Sequence, residues 1–284
     1  MPLLAIILLL SSAALHALWN LILKQSPEKY IAMSWQVIIS SVLSLVVILF
    51  TGLPPRSIWL FVLVSAILEA IYFGILTYAY SDHDFSLIYP VARGAAPALV
   101  VIWTAVFLGE IPSVGGLLGI ILVICGLTII GATSLFNHRT TKPQFRGIAI
   151  ALSIALVISI YTLVDGFAVK NSPAINYGLS LFILMPVLTT PLVIRHYGWK
   201  HMLAGLRQQP ARLVLVGILG VVAYMFALFA YSIAPVNYSE AIREVSVVLG
   251  ALAGWYFLGE QMGKIRTLGA VVIFIGIAMI ALLG

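Results

Sequence analysis

Apolar runs of about 20 residues recur along the whole chain, separated only by short polar stretches. Each run is long enough to cross a hydrocarbon core of about 30 Å as a helix. Backbone in lipid must satisfy its own hydrogen bonds, which leaves helices or closed barrels. The runs are too long for barrel strands and do not alternate, so the barrel is excluded. Charge agrees: charged residues make up 8% of the 284 residues, against about 25% in a soluble domain. Mean hydropathy is +1.15. The expected fold is an all-α polytopic membrane protein with ten transmembrane helices. Their predicted spans are 3–23, 31–51, 57–80, 85–107, 113–133, 147–168, 174–194, 212–232, 236–258 and 263–283. No stretch is long and polar enough for a soluble domain.

The first run has no basic residues before Leu3 and continues to Leu23, so it reads as a retained helix rather than a signal peptide. Cys125 is the single cysteine, which excludes an intrachain disulfide. The net charge of +6 is spread over short loops and does not point to nucleic acid.

Loop Lys and Arg set orientation. On one side lie Lys24, Lys29, Arg139, Lys142, Arg146, Arg195, Lys200, Arg207, Arg212, Lys264 and Arg266; on the other lie only Arg56 and Lys170. Positive loops stay inside, so the linker 134–146 is expected in the cytoplasm and both termini outside.

The two halves resemble each other. FLGE at Phe107–Glu110 returns at Phe257–Glu260, an offset of 150. The same offset pairs Arg93 with Arg243, Leu118-Gly119 with Leu268-Gly269, and Gly126 with Gly276. Ala79-Tyr80-Ser81 matches Ala230-Tyr231-Ser232, and KQSP (24–27) matches KNSP (170–173). The predicted organisation is a first repeat at 1–133 (helices 1–5), a linker at 134–146 and a second repeat at 147–284 (helices 6–10). Five spans per repeat force the second into the membrane upside down, the inverted arrangement that secondary transporters use. Ten helices as five plus five, the repeated FLGE and the Gly-rich fifth and tenth helices resemble the EamA-type carriers of the drug/metabolite transporter superfamily. That resemblance implies secondary carriers, many of them exporters of amino acids or other small metabolites. It also implies cytoplasmic termini, opposite to the charge count; the expectation here follows the charges.

Ionisable groups inside a membrane cost about 2.5–3.5 kcal/mol each on insertion scales and usually face protein or water. Seven fall inside the spans: His16, Glu69, Arg93, Asp165, Glu240, Arg243 and Glu244. Arg93 stands in IYPVARGAAP, about 12 Å below the surface at 1.5 Å per residue. Tyr89 lies one turn before it, and Pro90, Gly94 and Pro97 loosen the backbone around it. Arg93 is therefore expected in a polar cavity, or else bonded structurally to carbonyls and Glu69. In YSEAIREV, Glu240 and Arg243 are spaced to pair, whereas Glu240 and Glu244 repel. Glu240 sits shallow in its predicted span, so a helix-end cluster reaching water is the competing reading. Glu69 falls halfway along its span, with Tyr72 one turn on. His16, Trp19 and Asn20 share a face suited to a pocket or to helix packing. Tyr161 and Asp165 are spaced one turn apart near an outer end, and Tyr224 is deep enough to line a cavity. Gly115, Gly116, Gly119, Gly126, Gly269 and Gly276 read as close-packing positions.

These patterns predict a secondary active transporter of a small polar metabolite, an amino acid or similar zwitterion or anion, with export coupled to protons. Expected substrate contacts are Arg93, Arg243, Tyr89, Tyr72, His16, Trp19, Asn20, Tyr224 and Asp165. Proton-coupling candidates are Glu69, Glu244 and Glu240, because four acids face two arginines. A flippase for a lipid-linked head group and an uncoupled facilitator or exchanger are the alternatives. No HExxH, GxSxG, P-loop or metal-spaced His/Cys cluster is present, so neither an enzyme, a pump, a metal nor a cofactor is expected. The expected partners are the small-molecule substrate, protons and the bilayer, with no nucleic acid, in a monomer or homodimer. A bacterial plasma or inner membrane is the expected location.

Overall fold

The computed structural model describes residues 1–26, 28–82, 85–137, 144–258 and 264–284. Within these, the side chains of residues 24, 29, 76–82, 85–91, 131–137, 144–145, 251, 253–255, 257–258, 264 and 266 lie outside the description. The helices are α1 (Leu3–Lys24), α2 (Lys29–Thr51), α3 (Trp59–Asp82), α4 (Phe85–Phe107), α5 (Val114–Asn137), α6 (Gln144–Asn171), α7 (Ala174–Tyr197), α8 (Trp199–Gln208), α9 (Pro210–Ile233), α10 (Val236–Arg243), α11 (Val245–Leu258) and α12 (Lys264–Leu283). No strand occurs among the described residues. Six helical stretches are long and apolar enough to cross a membrane: Leu3–Leu23, Tyr30–Thr51, Arg56–Ile75, Arg146–Asn171, Ala174–Tyr197 and Pro210–Ile233. Ala92–Phe107, Val114–Ile130 and Thr267–Leu283 are shorter apolar stretches. The chain is an integral membrane protein.

Two local predictions need correction. The span expected at 236–258 is not one helix: it breaks at Glu244 into α10 and α11. Glu244 caps α10 with φ −63° and ψ −12°, and its N–H turns back to Ala241 O at 3.3 Å. The polar stretch 195–212, read as a loop, contains α8. The apolar side chain of Met202 on α8 is fully buried, and the Met202 carbonyl accepts the Trp35 indole N–H at 2.8 Å.

Two of the large helix–helix contacts are α5 with α12 and α2 with α7. The α5–α12 contact is held by glycines, as the sequence suggested. A Cβ on Gly119 would come 2.7 Å from Gly276 O, and one on Gly126 would come 2.7 Å from Gly269 O. Gly119 thus meets the counterpart of Gly126, and Gly126 meets the counterpart of Gly119, so the helices run antiparallel. The α2–α7 pair is antiparallel too: the Asn176 amide at the start of α7 donates to Thr51 O (2.8 Å) and Gly52 O (2.7 Å) at the end of α2. Gly52 has φ +82° with ψ 177°, an extended positive-φ backbone that glycine adopts because it has no Cβ. Other large contacts are α1 with α9, α4 with α6, α3 with α6, and α4 with α5. Met1 and Gly284 meet through a 3.3 Å hydrogen bond, so both termini lie on one face.

FLGE at Phe107–Glu110 has a mechanical role. The Glu110 carboxylate accepts the N–H groups of Val236 (2.7 Å) and Asn237 (3.4 Å), two of the orphan donors at the start of α10. Its backbone O accepts the Asn237 amide at 3.0 Å, and its Oε1 pairs with Lys170 at the end of α6. The carboxylate thereby complements the positive end of the α10 dipole and ties three elements together. The second FLGE, at Phe257–Glu260, reaches beyond the described residues.

Candidate functional site

α9 presents Tyr224 and Tyr231 seven residues apart, two helical turns, on one face. Each hydroxyl sits between two ionisable groups, and the two surroundings differ.

Tyr231 lies against α10. Its hydroxyl donates to Glu240 Oε2 at 2.5 Å and accepts from Arg243 Nη1 at 2.7 Å. Arg243 Nη1 also reaches Glu240 Oε2 at 3.0 Å, closing a three-membered ring of contacts. Pairing of Glu240 with Arg243 was expected from spacing. A water-exposed helix end was the competing reading, and burial excludes it: the Glu240 side chain is 2% exposed. Arg243 is the last residue of α10, where a cation complements the helix dipole. Its guanidinium carbon lies 5.9 Å from the centroids of both Tyr224 and Tyr231, within cation–π range.

Tyr224 lies against α3 and α6. Its hydroxyl approaches Glu69 Oε1 at 2.9 Å and also hydrogen bonds Asp165 Oδ2. Asp165 is fully buried, and its other oxygen accepts Ser65 Oγ (2.6 Å) and Tyr177 Oη (2.5 Å). Tyr72 and Tyr161 meet edge to face 6.3 Å apart, the first one turn beyond Glu69 and the second one turn before Asp165. Phe182 packs edge-on against Tyr224 at 5.7 Å. Asp165 lies six residues before the end of α6 at Asn171 and is fully buried there against α3, α7 and α9.

Arg93 completes the network from α4. Its Nε lies 3.1 Å from Glu244 Oε2 and its Nη2 donates to Ser246 Oγ at 3.0 Å. Glu244, at the break between α10 and α11, supplies a carboxylate partner for Arg93. Arg93 and Arg243 occupy matching positions, and each is held by a glutamate of the broken segment. Removing one partner from such a pair leaves a buried charge uncompensated.

His16 meets Trp19 edge to face at 4.9 Å. Trp19 packs on the apolar cluster around Trp35 and Met202. Asn20 is exposed and spends its amide on His16 O, at 2.8 Å. The Tyr89 side chain lies outside the described residues.

Ser65, Tyr177 and Ser246 escaped the sequence reading. Hydroxyls in apolar runs carry no spacing signal when their partner is on another helix. Tyr231 did leave a trace, since it belongs to the Ala-Tyr-Ser match between the halves. Among the described residues, no group of His, Cys, Asp or Glu could hold a metal ion.

Comparison with known proteins fits this architecture. A solved crystal structure superposes with a TM-score of 0.79 over 98% of this chain and 96% of its own, at 15% identity, and so shares the fold. None of the curated proteins compared with the chain matches it in sequence. The EamA-like transporter family matches twice, over residues 3–132 and again over 145–282. Those matches take in Glu69 and Arg93 on one side and Asp165, Tyr224, Tyr231, Glu240, Arg243 and Glu244 on the other. The family is one of membrane transporters rather than enzymes, and this chain belongs to the EamA-like transporter family.

Proposed function

We propose that the protein is a secondary active transporter that exports a small polar metabolite, an amino acid or similar zwitterion, in exchange for protons. The observation that carries this reading is the set of two arginines, four acids and bridging tyrosines gathered inside the helix bundle on α3, α4, α6, α9 and α10 and at the α10–α11 break. Such groups are expensive in a membrane unless they serve a pathway. In this reading Arg243 and Arg93 attract the anionic end of the substrate from their glutamate clamps. Tyr72, Tyr224 and His16 border the same space, and Glu69 carries the coupling proton.

The same reading takes the chain as ten spans in two inverted repeats, 1–133 and 147–284 around the 134–146 linker, with α10 and α11 together making the ninth span. The antiparallel α2–α7 and α5–α12 pairs support it, as do the exchanged glycine contacts. The junction of Met1 with Gly284 supports termini on one side; the loop charges put that side outside, in a bacterial inner membrane. A reporter active only outside the cytoplasm should work when fused after Gly284 and stay silent when placed in the linker. The reverse pattern overturns this orientation.

Reconstituted vesicles test the function. A labelled amino-acid mixture should accumulate under an imposed pH gradient, and Glu69→Gln should lose that accumulation. Movement indifferent to the gradient indicates a facilitator, and scrambling of labelled lipid indicates a flippase; either result defeats proton-coupled export.

A further inference from the structure

A phenol has one hydrogen to donate. Around Tyr231 that hydrogen goes to Glu240, and the second contact is supplied with hydrogen by Arg243. Around Tyr224 both contacts are carboxyl oxygens, Glu69 Oε1 and Asp165 Oδ2. If both carboxyls are ionised, one of these approaches sets lone pair against lone pair. Both become hydrogen bonds only if one carboxyl carries a hydrogen of its own and donates it to the Tyr224 oxygen.

Among the described residues, no other group donates a hydrogen to Tyr224 Oη, Glu69 Oε1 or Asp165 Oδ2. From α3 come Ser65 and Tyr72, from α6 Tyr161, from α7 Tyr177, and from α10 Arg243 and Glu240. Ser65 and Tyr177 already donate to Asp165 Oδ1. The Arg243 charge reaches both carboxyls, but its recorded hydrogen bonds go to Tyr231 and Glu240. The walls are aromatic: Tyr72, Tyr161, Phe182 and the Tyr224 ring itself. Two carboxyls among aromatic faces also suit an ammonium group, which needs acceptor oxygens and tolerates rings.

We propose that Glu69 and Asp165 share one proton across the Tyr224 hydroxyl, and that the ammonium group of the substrate takes that proton's place. This rests on the transporter reading and names the cationic half of the substrate. The balance is simple. Two carboxylates and one proton carry a charge of −1; two carboxylates and one ammonium carry the same. When the ammonium enters, the O–H bond of the protonated carboxyl breaks and the proton leaves to water. Substrate and proton therefore exclude each other, and apparent affinity for the ammonium rises with pH.

Infrared difference spectroscopy on the full-length protein in lipid tests this without transport. Wild type should show a protonated-carboxyl C=O band that shifts in heavy water. Asp165→Asn and Glu69→Gln should each lose that component, because an amide then supplies the missing hydrogen and the remaining carboxyl ionises. Methylammonium should diminish the band in wild type, and sodium at equal ionic strength should not. Absence of the band, or its persistence in both variants, overturns the shared proton. Indifference to methylammonium overturns the exchange, and that arm needs no variant. Loss of the band with gradient-driven transport intact would sink this inference alone; a normal band without transport would sink the transporter reading alone.

Discussion

Tyr231 and Tyr224 occupy the same face of one helix and bridge ionisable groups in the same way, yet their surroundings are opposite in kind. Tyr231 joins a glutamate to an arginine, so charge and hydrogen count both close. Tyr224 joins two carboxyls, so one phenolic hydrogen faces two acceptor oxygens. A balanced set is a clamp: it holds α10 on α9 and fixes where the Arg243 charge points. Under the shared-proton proposal, the unbalanced set is the one that would bind the substrate's ammonium group. A transporter core needs both, a positioned charge that stays and an exchangeable one that leaves.

The largest effect should come from breaking the clamp. Arg243→Gln leaves Glu240 buried without its cation, which costs about 3–5 kcal/mol. Thermal unfolding in detergent should drop accordingly, and transport should vanish. Adding Glu240→Gln should recover most of the stability and none of the transport. If the double variant transports normally, the clamp has no functional role.

Arg93→Gln should abolish transport while the protein still inserts in the membrane, as read by surface labelling and vesicle flux. Normal transport with Arg93→Gln and Arg243→Gln together would remove the anion-binding part of the proposal.

Next come the two hydroxyls compared directly. Tyr224→Phe and Tyr231→Phe each delete a hydrogen bond to a charged group, worth about 1.5–3 kcal/mol. The two losses should appear in different measurements. Tyr231→Phe should lower the unfolding temperature and keep the pH profile of transport. Tyr224→Phe should slow transport by about tenfold to a hundredfold at those energies and flatten its pH dependence. Equal pH profiles in the two variants would erase the distinction between the regions.

The smallest effect on chemistry is expected at the α5–α12 seam. Gly119→Ala sets a methyl 2.7 Å from Gly276 O, a backbone atom that cannot swing aside. Overpacking of this kind costs about 1–3 kcal/mol. Unfolding should shift, and the pH dependence of transport should match wild type. A changed pH profile would mean that the seam and the Tyr224 site are coupled.

The amino-acid sequence by itself determined much of this protein. Lengths of apolar run dictate helices, because lipid offers the backbone no other partner. The helix positions follow those runs closely, α4 at Phe85–Phe107 among them. The cost of burying charge singled out Glu69, Arg93, Asp165, Glu240, Arg243 and Glu244 before any contact was known. Glycines in the fifth and tenth spans read as close-packing positions, and the structure sets them against each other in the α5–α12 seam. Tertiary structure alone decided who meets whom. Glu244 is four residues from Glu240, yet Glu240 pairs with Arg243 on its own helix and Glu244 with Arg93 on another. Glu69 and Asp165 are 96 positions apart in the numbering, and only the meeting of α3, α6 and α9 sets them on one hydroxyl. Local spacing reports neighbours within a helix, because helical geometry repeats every few residues. A partner on another helix depends on how the helices cross, and no short stretch of sequence contains that information.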